Sequence, residues 1–239
     1  MAKPDDEKTK KKIISTGHAE IDRRLGGGLP VGSLTLVEGE SDAGKSVLCQ
    51  QMIWGSLNDG YSVILFTTEN TLRSLVTQMD SLGLGILDYI LLGRRKVYFM
   101  RQSNIRTQAG ETFATILNTI GEQLRYQLII VDSLTPMLPT ASDVEILHYI
   151  ERCKQYCDDG RTVVNVTHSY ALDSGVLVRV RSASDAHLKL MIEKVGDKLV
   201  KTLEVAKVRG AAQSTGNVVT FDIEPGIGMK IMPLSKAKA

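Results

Sequence analysis

Eight residues, Gly39-Glu-Ser-Asp-Ala-Gly44-Lys45-Ser46, carry most of the information about the fold of this 239-residue chain. They match the pattern G-x-x-x-x-G-K-[ST]. The apolar run Ser33–Glu38 predicts a strand directly before them, and Lys45–Asn58 predicts a helix directly after. Glycine backbones let successive amides turn inward on an anion, and the helix N-terminus adds the positive end of its dipole. The stretch therefore predicts a phosphate-binding loop with ATP as its ligand.

Two side chains of this loop have predicted roles toward a bound triphosphate. Lys45 supplies a point charge for the β- and γ-phosphates, and the Ser46 hydroxyl is a Mg²⁺ ligand. Asp132 ends the buried run Gln127–Asp132 and is predicted to hold the same Mg²⁺, although a strand-end aspartate can also cap a turn. The predicted nucleotide-binding residues are Gly39, Glu40, Ser41, Asp42, Ala43, Gly44, Lys45, Ser46 and Val47.

Hydrolysis also needs a group that orients or deprotonates water in line with the γ-phosphate. Glu69 is the candidate, because it follows the apolar run Tyr61–Thr67, whose strand we expect to neighbour the phosphate-loop strand. The alternative is that Glu69 caps a helix beginning near Leu72. His168 follows a further strand, and two roles stay open for it: a sensor of the γ-phosphate or a structural histidine.

Strand and helix patterns alternate along the chain, which indicates βαβ crossovers and a largely parallel sheet flanked by helices. Predicted strands are Ser33–Glu38, Tyr61–Thr67, Lys96–Arg101, Gln127–Asp132 and Thr162–Thr167, and predicted helices are Lys45–Asn58, Leu72–Leu82, Glu111–Arg125 and Ser142–Asp158. After about Leu172 the pattern changes to strands separated by turns. These predict an antiparallel extension of the sheet, built from Ala186–Lys194, Lys198–Val208, Val218–Ile223 and Gly228–Pro233.

Composition limits the class of protein. We expect one domain over residues 13–234, a disordered tail over 1–12 and a frayed end over 235–239. A net charge of +2 and 5% aromatic residues give no nucleic-acid footprint, so no nucleic-acid partner is expected.

No stretch approaches the roughly 18 apolar residues that cross a bilayer, so we expect a cytoplasmic protein. The three cysteines form no disulfide framework, in keeping with a reducing cytosol.

The order of motifs resembles the KaiC branch of the RecA-like ATPases. After the phosphate loop come Thr68-Glu-Asn70, Leu128-Ile-Ile-Val-Asp-Ser133, Val164-Asn-Val-Thr-His-Ser169 and Lys207-Val-Arg209-Gly210. The resemblance spans roughly Ile13 to Pro233 and includes Ser15-Thr-Gly17, Asp22–Gly28, Leu25–Pro30, Gly216–Ile223 and Gly228–Pro233. Within that branch, the single-domain length and the first part of the chain are most similar to the archaellum accessory ATP-binding proteins of the FlaH/ArlH group.

The resemblance implies an RecA-like fold and a ring of identical subunits, usually a hexamer, with ATP at the subunit interfaces. It implies that Lys207 and Arg209 reach the γ-phosphate bound by the neighbouring subunit. The family usually has two adjacent catalytic glutamates, whereas this chain has Glu69 followed by Asn70, so rapid turnover is not expected. Ser81 matches a position that lines the adenine pocket in the family.

The resemblance further implies an ATP-dependent scaffold in archaeal motility. The implied partners are the archaellum motor ATPase (ArlI/FlaI) and the cytoplasmic face of the motor platform, with membrane association only through those partners. Two other classes stay open. A RecA/RadA-like DNA-binding ATPase would use Leu172–Ser184, which carries Arg179 and Arg181, as a DNA-contacting loop. A KaiC-like autokinase would use Ser182 or Ser184, which are otherwise plain loop serines.

Overall fold

A computed structural model of the protein describes residues 13–100, 109–195, 198–211 and 218–232. The predicted tail over 1–12 and the predicted frayed end over 235–239 lie outside these ranges, as do Arg101 and Pro233, the last residues of two predicted strands. Within the described ranges, no helix combines the length and apolar character needed to cross a membrane.

Strands and helices alternate as predicted through the first two thirds of the chain. The strands are β1 (Ile13–Ile14), β2 (Leu29–Pro30), β3 (Leu34–Gly39), β4 (Val63–Thr67), β5 (Arg95–Phe99), β6 (Leu128–Asp132), β7 (Thr162–His168), β8 (Ala186–Val195), β9 (Lys198–Val208), β10 (Val218–Glu224) and β11 (Gly228–Met232). The described helices are α1 (Ala19–Arg24), α2 (Lys45–Asn58), α3 (Leu72–Ser81), α4 (Leu87–Leu91), α5 (Ala109–Glu122), α6 (Asp143–Asp158) and α7 (Ser174–Ala183), with a 3₁₀ turn over Leu138–Thr140.

Nine of the strands form one central sheet in the order β11-β10-β9-β8-β3-β7-β6-β4-β5, while β1 and β2 pair separately. The strands from β8 to β5 in this order are parallel. The strands β9, β10 and β11 are antiparallel to their neighbours. This arrangement confirms the predicted α/β class with a largely parallel sheet and an antiparallel C-terminal part.

Two details of the predicted sheet were wrong. β4 does not neighbour β3, because β7 and β6 lie between them. β8 was predicted as part of the antiparallel extension, but it pairs in parallel with β3, and the antiparallel region begins at β9. Strand order and direction depend on how each crossover packs over the sheet, which is a long-range property that the local apolar pattern does not contain.

The central strands of the sheet are buried on both faces. β3, β4 and β6 are buried at every position, as their continuous apolar runs predict. One hydrophobic layer packs α2 and α3 against one face through residues such as Leu48, Met52 and Leu75. The other packs α5, α6 and α7 against the opposite face through residues such as Phe113 and Tyr149. The free cysteines Cys49, Cys153 and Cys157 are all buried in these layers.

Helix α7 occupies a region predicted as a loop. Its buried residues Val176, Leu177 and Val180 pack into the second hydrophobic layer, and Asp173 precedes its first turn in extended conformation. The helix is rich in β-branched valine, which lowers helix propensity, so its stability comes from packing. Arg181 lies within this helix and binds Glu38, so the arginine-bearing DNA loop of the alternative prediction does not form.

Candidate nucleotide site

The phosphate loop occupies the connection between β3 and α2, at the carboxyl edge of the sheet. Gly39 ends β3 beside β8, and a Cβ atom there would overlap the carbonyl oxygen of Leu190. Gly44 precedes α2 with φ of 96°, and a Cβ there would lie 3.1 Å from the ring of Phe221. Both glycines are therefore required by close packing of β8 and β10 against the loop, in addition to their backbone freedom.

The loop is also held from outside by β9. Asp42 has a φ of 60°, which is uncommon for a residue other than glycine. Its carbonyl oxygen accepts a hydrogen bond of 2.8 Å from Nζ of Lys201. This contact was not predicted, because Lys201 is 159 residues further along the chain.

The Lys45 side chain lies inside the loop. Its ammonium donates to the carbonyl oxygens of Gly39, at 3.2 Å, and of Glu40. Burial lowers the pKa of Lys45, while the negative charges of Asp132 and Glu69 act in the opposite direction. The arrangement places a cation at the point where the loop would enclose a phosphate chain.

Ser46 and Asp132, the two predicted Mg²⁺ ligands, lie close enough together for a hydrogen bond between their side chains. Burial, and then the charge of Glu69, raises the pKa of Asp132 to about 6. A hard divalent cation at this carboxylate would stabilise its charged form, so the oxygen donors fit Mg²⁺. Among the described residues there is no group of three or more acidic, histidine or cysteine ligands, so phosphate oxygens and water would complete the coordination.

Glu69 lines the same cavity although its strand lies three positions from β3 in the sheet. It reaches the site because all the parallel strands end at one edge. The alternative role of helix cap is filled by Thr71, whose side chain accepts from the backbone nitrogen of Ser74 in a capping box. Glu69 is exposed, and its carboxylate contributes to the electrostatic environment of Lys45 and Asp132.

The cavity has a volume of about 540 Å³, enough for a nucleotide. Its lining combines the loop residues with Glu69, His168 and two residues that were not predicted, Gln78 of α3 and Ile223 of β10. No motif contains Gln78, and the motif Gly216–Ile223 did not indicate that Ile223 would reach the cavity, since both positions depend on how α3 and the C-terminal strands fold over the loop. Ser81 lies one turn beyond Gln78 in a neighbouring hollow that shares Gln78 with the cavity, and its hydroxyl donates to the Gln78 carbonyl oxygen.

His168 ends β7 next to Gly39 in the strand register and lines the cavity. The Thr135 hydroxyl lies 2.9 Å from the main-chain nitrogen of His168 and 3.1 Å from its Nδ1. Tyr170 stacks on the imidazole, with ring centroids 5.1 Å apart. Burial, and then the positive charge of Lys45, lowers the pKa of His168.

The family model described as "ATPase: KaiC" matches residues 14–236, which is nearly the whole chain. The chain belongs to the KaiC family of ATPases. The archaeal flagellar ATP-binding protein FlaH of Sulfolobus acidocaldarius is 27% identical over 229 residues, covering 95% of this chain and 100% of that protein. FlaH of Methanocaldococcus jannaschii is 27% identical over 225 residues, covering 91% and 94%.

A solved structure agrees with these sequence matches. The crystal structure of flagellar accessory protein FlaH from Methanocaldococcus jannaschii superposes with a TM-score of 0.83 at 26% identity, covering 92% of this chain and 98% of that one. The predicted KaiC-like family and RecA-like fold are both confirmed.

Lys207 and Arg209 of this KaiC-family chain lie far from its own cavity. β9 runs antiparallel to β8, and Val208 pairs with Ala186, which pairs with Thr35 near the start of β3. Gly39 lies four residues beyond Thr35 along β3, which is roughly 13 Å at about 3.3 Å per strand residue. The structure therefore places the cation pair at the amino edge and the phosphate loop at the carboxyl edge.

The two cations have different surroundings at that edge. Nζ of Lys207 donates to the carbonyl oxygens of Arg181, Ser182 and Ser184 at the C-terminal end of α7. Arg209 donates to the Ser182 carbonyl oxygen and lies 3.7 Å from the Asp185 carboxylate. The Arg209 side chain remains 56% exposed, so it is the more available of the two for a neighbouring molecule.

The two serines of the autokinase alternative are part of the helix end rather than of a loop. Ser184 caps the C-terminus of α7, is 1% exposed and donates its hydroxyl to the Val180 carbonyl oxygen. Ser182 is exposed within the last turn of the helix. The buried, hydrogen-bonded hydroxyl of Ser184 is poorly placed to attack a phosphate.

Proposed function

We propose that this chain is an ATP-binding subunit of an archaeal flagellar motor that forms a ring and reports nucleotide state at its subunit interfaces. The observation that carries the proposal is the division of charge between the two edges of the sheet. Lys45 and Ser46 line a cavity at one edge, with the buried Asp132 next to them, while Lys207 and Arg209 lie at the other. Cations at the amino edge can contact a bound triphosphate only if it lies in the cavity of a neighbouring copy of the chain.

The relatives support the process. Those reported above are described as archaeal flagellar ATP-binding or accessory proteins, and they match this chain over nearly their whole lengths. On this proposal the chain is cytoplasmic and binds the archaellum motor ATPase and the motor platform in a nucleotide-dependent way. The state that binds these partners is the ATP-bound ring, which has six subunits on this proposal.

Slow hydrolysis is part of the proposal. Glu69 is the available carboxylate, and Asn70 occupies the position where the family usually has a second one. An amide does not accept a proton at neutral pH, and the Asn70 side chain instead accepts a hydrogen bond from the Ser74 hydroxyl at the start of α3. A site with one carboxylate and a neighbour-supplied cation is suited to holding ATP rather than to rapid turnover.

The decisive experiment compares Lys45→Ala with Lys230→Ala, which removes a surface lysine paired with Glu224. Lys45→Ala should weaken ATP binding roughly 100-fold, because it removes a buried charged donor from the loop. It should also abolish ATP-dependent capture of the purified motor ATPase, while Lys230→Ala retains both properties. The measurements are nucleotide titration and pulldown in ATP and in ADP.

Normal ATP affinity in the Lys45→Ala protein would refute the assignment of the cavity. Loss of ATP binding with unchanged capture of the motor ATPase would refute nucleotide-dependent partner binding. Sedimentation of the wild-type protein with ATP tests the ring separately, since a chain that stays monomeric at all concentrations contradicts it.

A further inference from the structure

The hydrogen bonds around Thr135 constrain the proton of His168. The Thr135 hydroxyl oxygen lies 2.9 Å from the main-chain nitrogen of His168 and 3.1 Å from its Nδ1. A main-chain N–H can only donate, so the hydroxyl oxygen accepts that bond. The hydroxyl hydrogen is then free to be donated to Nδ1, provided that Nδ1 carries a lone pair.

The opposite assignment, with a proton on Nδ1, would make the Thr135 hydroxyl oxygen accept two hydrogen bonds, and its hydrogen would then have no acceptor among the hydrogen bonds of the described residues. Among the hydrogen bonds of the described residues, the Thr135 hydroxyl contacts only the two nitrogens of His168. The imidazole is also in an environment that disfavours its charged form, because burial and then the Lys45 charge lower its pKa. A neutral ring with its lone pair on Nδ1 carries its proton on Nε2.

We propose that Thr135 is a positioning residue that holds His168 in the Nε2–H form, so that the ring donates a hydrogen bond to the terminal phosphate of a nucleoside triphosphate. This inference rests on the proposed function of the cavity. Phosphate oxygens only accept hydrogen bonds, so a ring that presented a lone pair would repel them. A diphosphate has no oxygen at the γ position, and the donor therefore discriminates ATP from ADP.

Tyr170 stacks on the face of the imidazole and limits its orientation as well. Its ring is nearly parallel to the imidazole, with an interplanar angle of 13°, and its side chain is 72% exposed. Thr135 thus determines the direction of the ring edge and Tyr170 restricts the ring plane. The stack also places an exposed aromatic group in direct contact with the residue that faces the nucleotide.

The test replaces Thr135 by Val, which keeps the shape of the side chain and removes the hydroxyl, and by Ser as the matched control, which keeps the hydroxyl. Thr135→Val should weaken ATP binding roughly tenfold and leave ADP binding unchanged, so the ratio of the two dissociation constants falls by about the same factor. Thr135→Ser should keep the wild-type ratio. ADP affinity reports at the same time that the variant is folded.

A second measurement examines the proton directly. Nitrogen-15 NMR of histidine-labelled wild-type protein should show the Nε2–H form for His168, assigned by comparison with His168→Gln, and the Thr135→Val protein should show a mixture of forms. A proton on Nδ1 in the wild type overturns the proposal even if Thr135→Val does not fold. An unchanged ATP/ADP ratio in folded Thr135→Val also overturns it.

The outcomes separate this inference from the proposed function. Lys45→Ala tests whether the cavity binds nucleotide at all, and it lowers the affinity for ATP and ADP together. If Lys45→Ala abolishes binding while Thr135→Val behaves like the wild type, the cavity assignment stands and the role of Thr135 is wrong. If Lys45→Ala leaves binding intact, the proposed function fails first.

Discussion

The two edges of the central sheet carry charge in opposite ways. At the carboxyl edge, Lys45 and Asp132 are both less than 10% exposed, and Lys45 lines a cavity. At the amino edge, Lys207 and Arg209 lie on the surface, bound to helix-end carbonyl oxygens and to Asp185. One edge thus has buried charges beside a cavity, and the other has cations on the surface.

This difference shows why a single copy is an incomplete description of the site we propose. A parallel sheet is a rigid spacer, so its two edges stay apart whatever nucleotide is bound. The same strands that bring Ser46 and Asp132 together keep Arg209 away from them. Each of the following predictions tests one edge against the other, beginning with the largest expected effect.

The carboxyl edge depends on close approach of two backbones at Gly39. Gly39→Ala places a Cβ against the carbonyl group of Leu190, and because this is backbone the overlap is not relieved by a side-chain rotation. We expect a loss of about 3 kcal/mol in the free energy of unfolding, together with weaker ATP binding. Urea denaturation and nucleotide titration measure the two effects.

Gly175→Ala, in helix α7, is the matched control because a Cβ there meets nothing within 4 Å. Alanine favours helix, so this variant should be as stable as the wild type or more stable by up to about 1 kcal/mol. Equal stability of the Gly39→Ala and Gly175→Ala proteins would contradict the close approach of β3 and β8.

A buried carboxylate next to the loop makes stability depend on pH. Glu38 is fully buried and ion-paired with Arg181, and its Oε2 lies 3.4 Å from Nε2 of His187. Burial alone would raise its pKa, but the hydrogen bonds from His187 and Arg181 lower it from 4.5 to about 2. The stabilisation is therefore present above pH 4.5 and is lost as the pH falls from 4.5 toward 2.

After allowance for the partly exposed Arg181, we expect Glu38 to contribute about 2 kcal/mol to this pH dependence. Glu38→Gln should remove that part, so its unfolding free energy falls less than that of the wild type between pH 6 and pH 3. Glu224→Gln, at a surface ion pair, should follow the wild type. Parallel pH profiles for the wild type and Glu38→Gln would mean that the buried pair does not lower the pKa of Glu38.

At the amino edge, the two cations should separate into a structural residue and an available one. Lys207→Ala removes donors to the last carbonyl groups of α7 and should cost about 1 kcal/mol of unfolding free energy. Arg209→Ala should cost less than about 0.5 kcal/mol, because its side chain is largely exposed. Urea denaturation of the two proteins measures the difference.

Arg209→Ala should instead act on assembled protein, lowering ATP affinity there and leaving the affinity of dilute monomer unchanged. If Arg209→Ala were instead the more destabilising variant, and Lys207→Ala the one that alters ATP affinity, the roles of the two residues would be exchanged.

Local sequence determined the elements around the loop. The predicted bounds of α2, Lys45–Asn58, agree with the structure, because a glycine before the helix and Asp59-Gly60 after it define both ends. β6 and the start of α6 could be predicted for the same reason, since a continuous apolar run, and a serine followed by acidic residues, are signals within a few residues. The pairing of Ser46 with Asp132 followed from the motif order.

Only the tertiary structure decided which distant residues meet. It placed β7 and β6 between β3 and β4, turned β8 parallel to β3, and stabilised α7 by packing despite its valine content. It also brought Gln78, Lys201 and Thr135 to the site from separate elements. Periodicity and motifs report the neighbours of a residue along the chain, whereas strand order and side-chain contacts arise from burial across the whole sheet, and no short stretch of sequence contains that information.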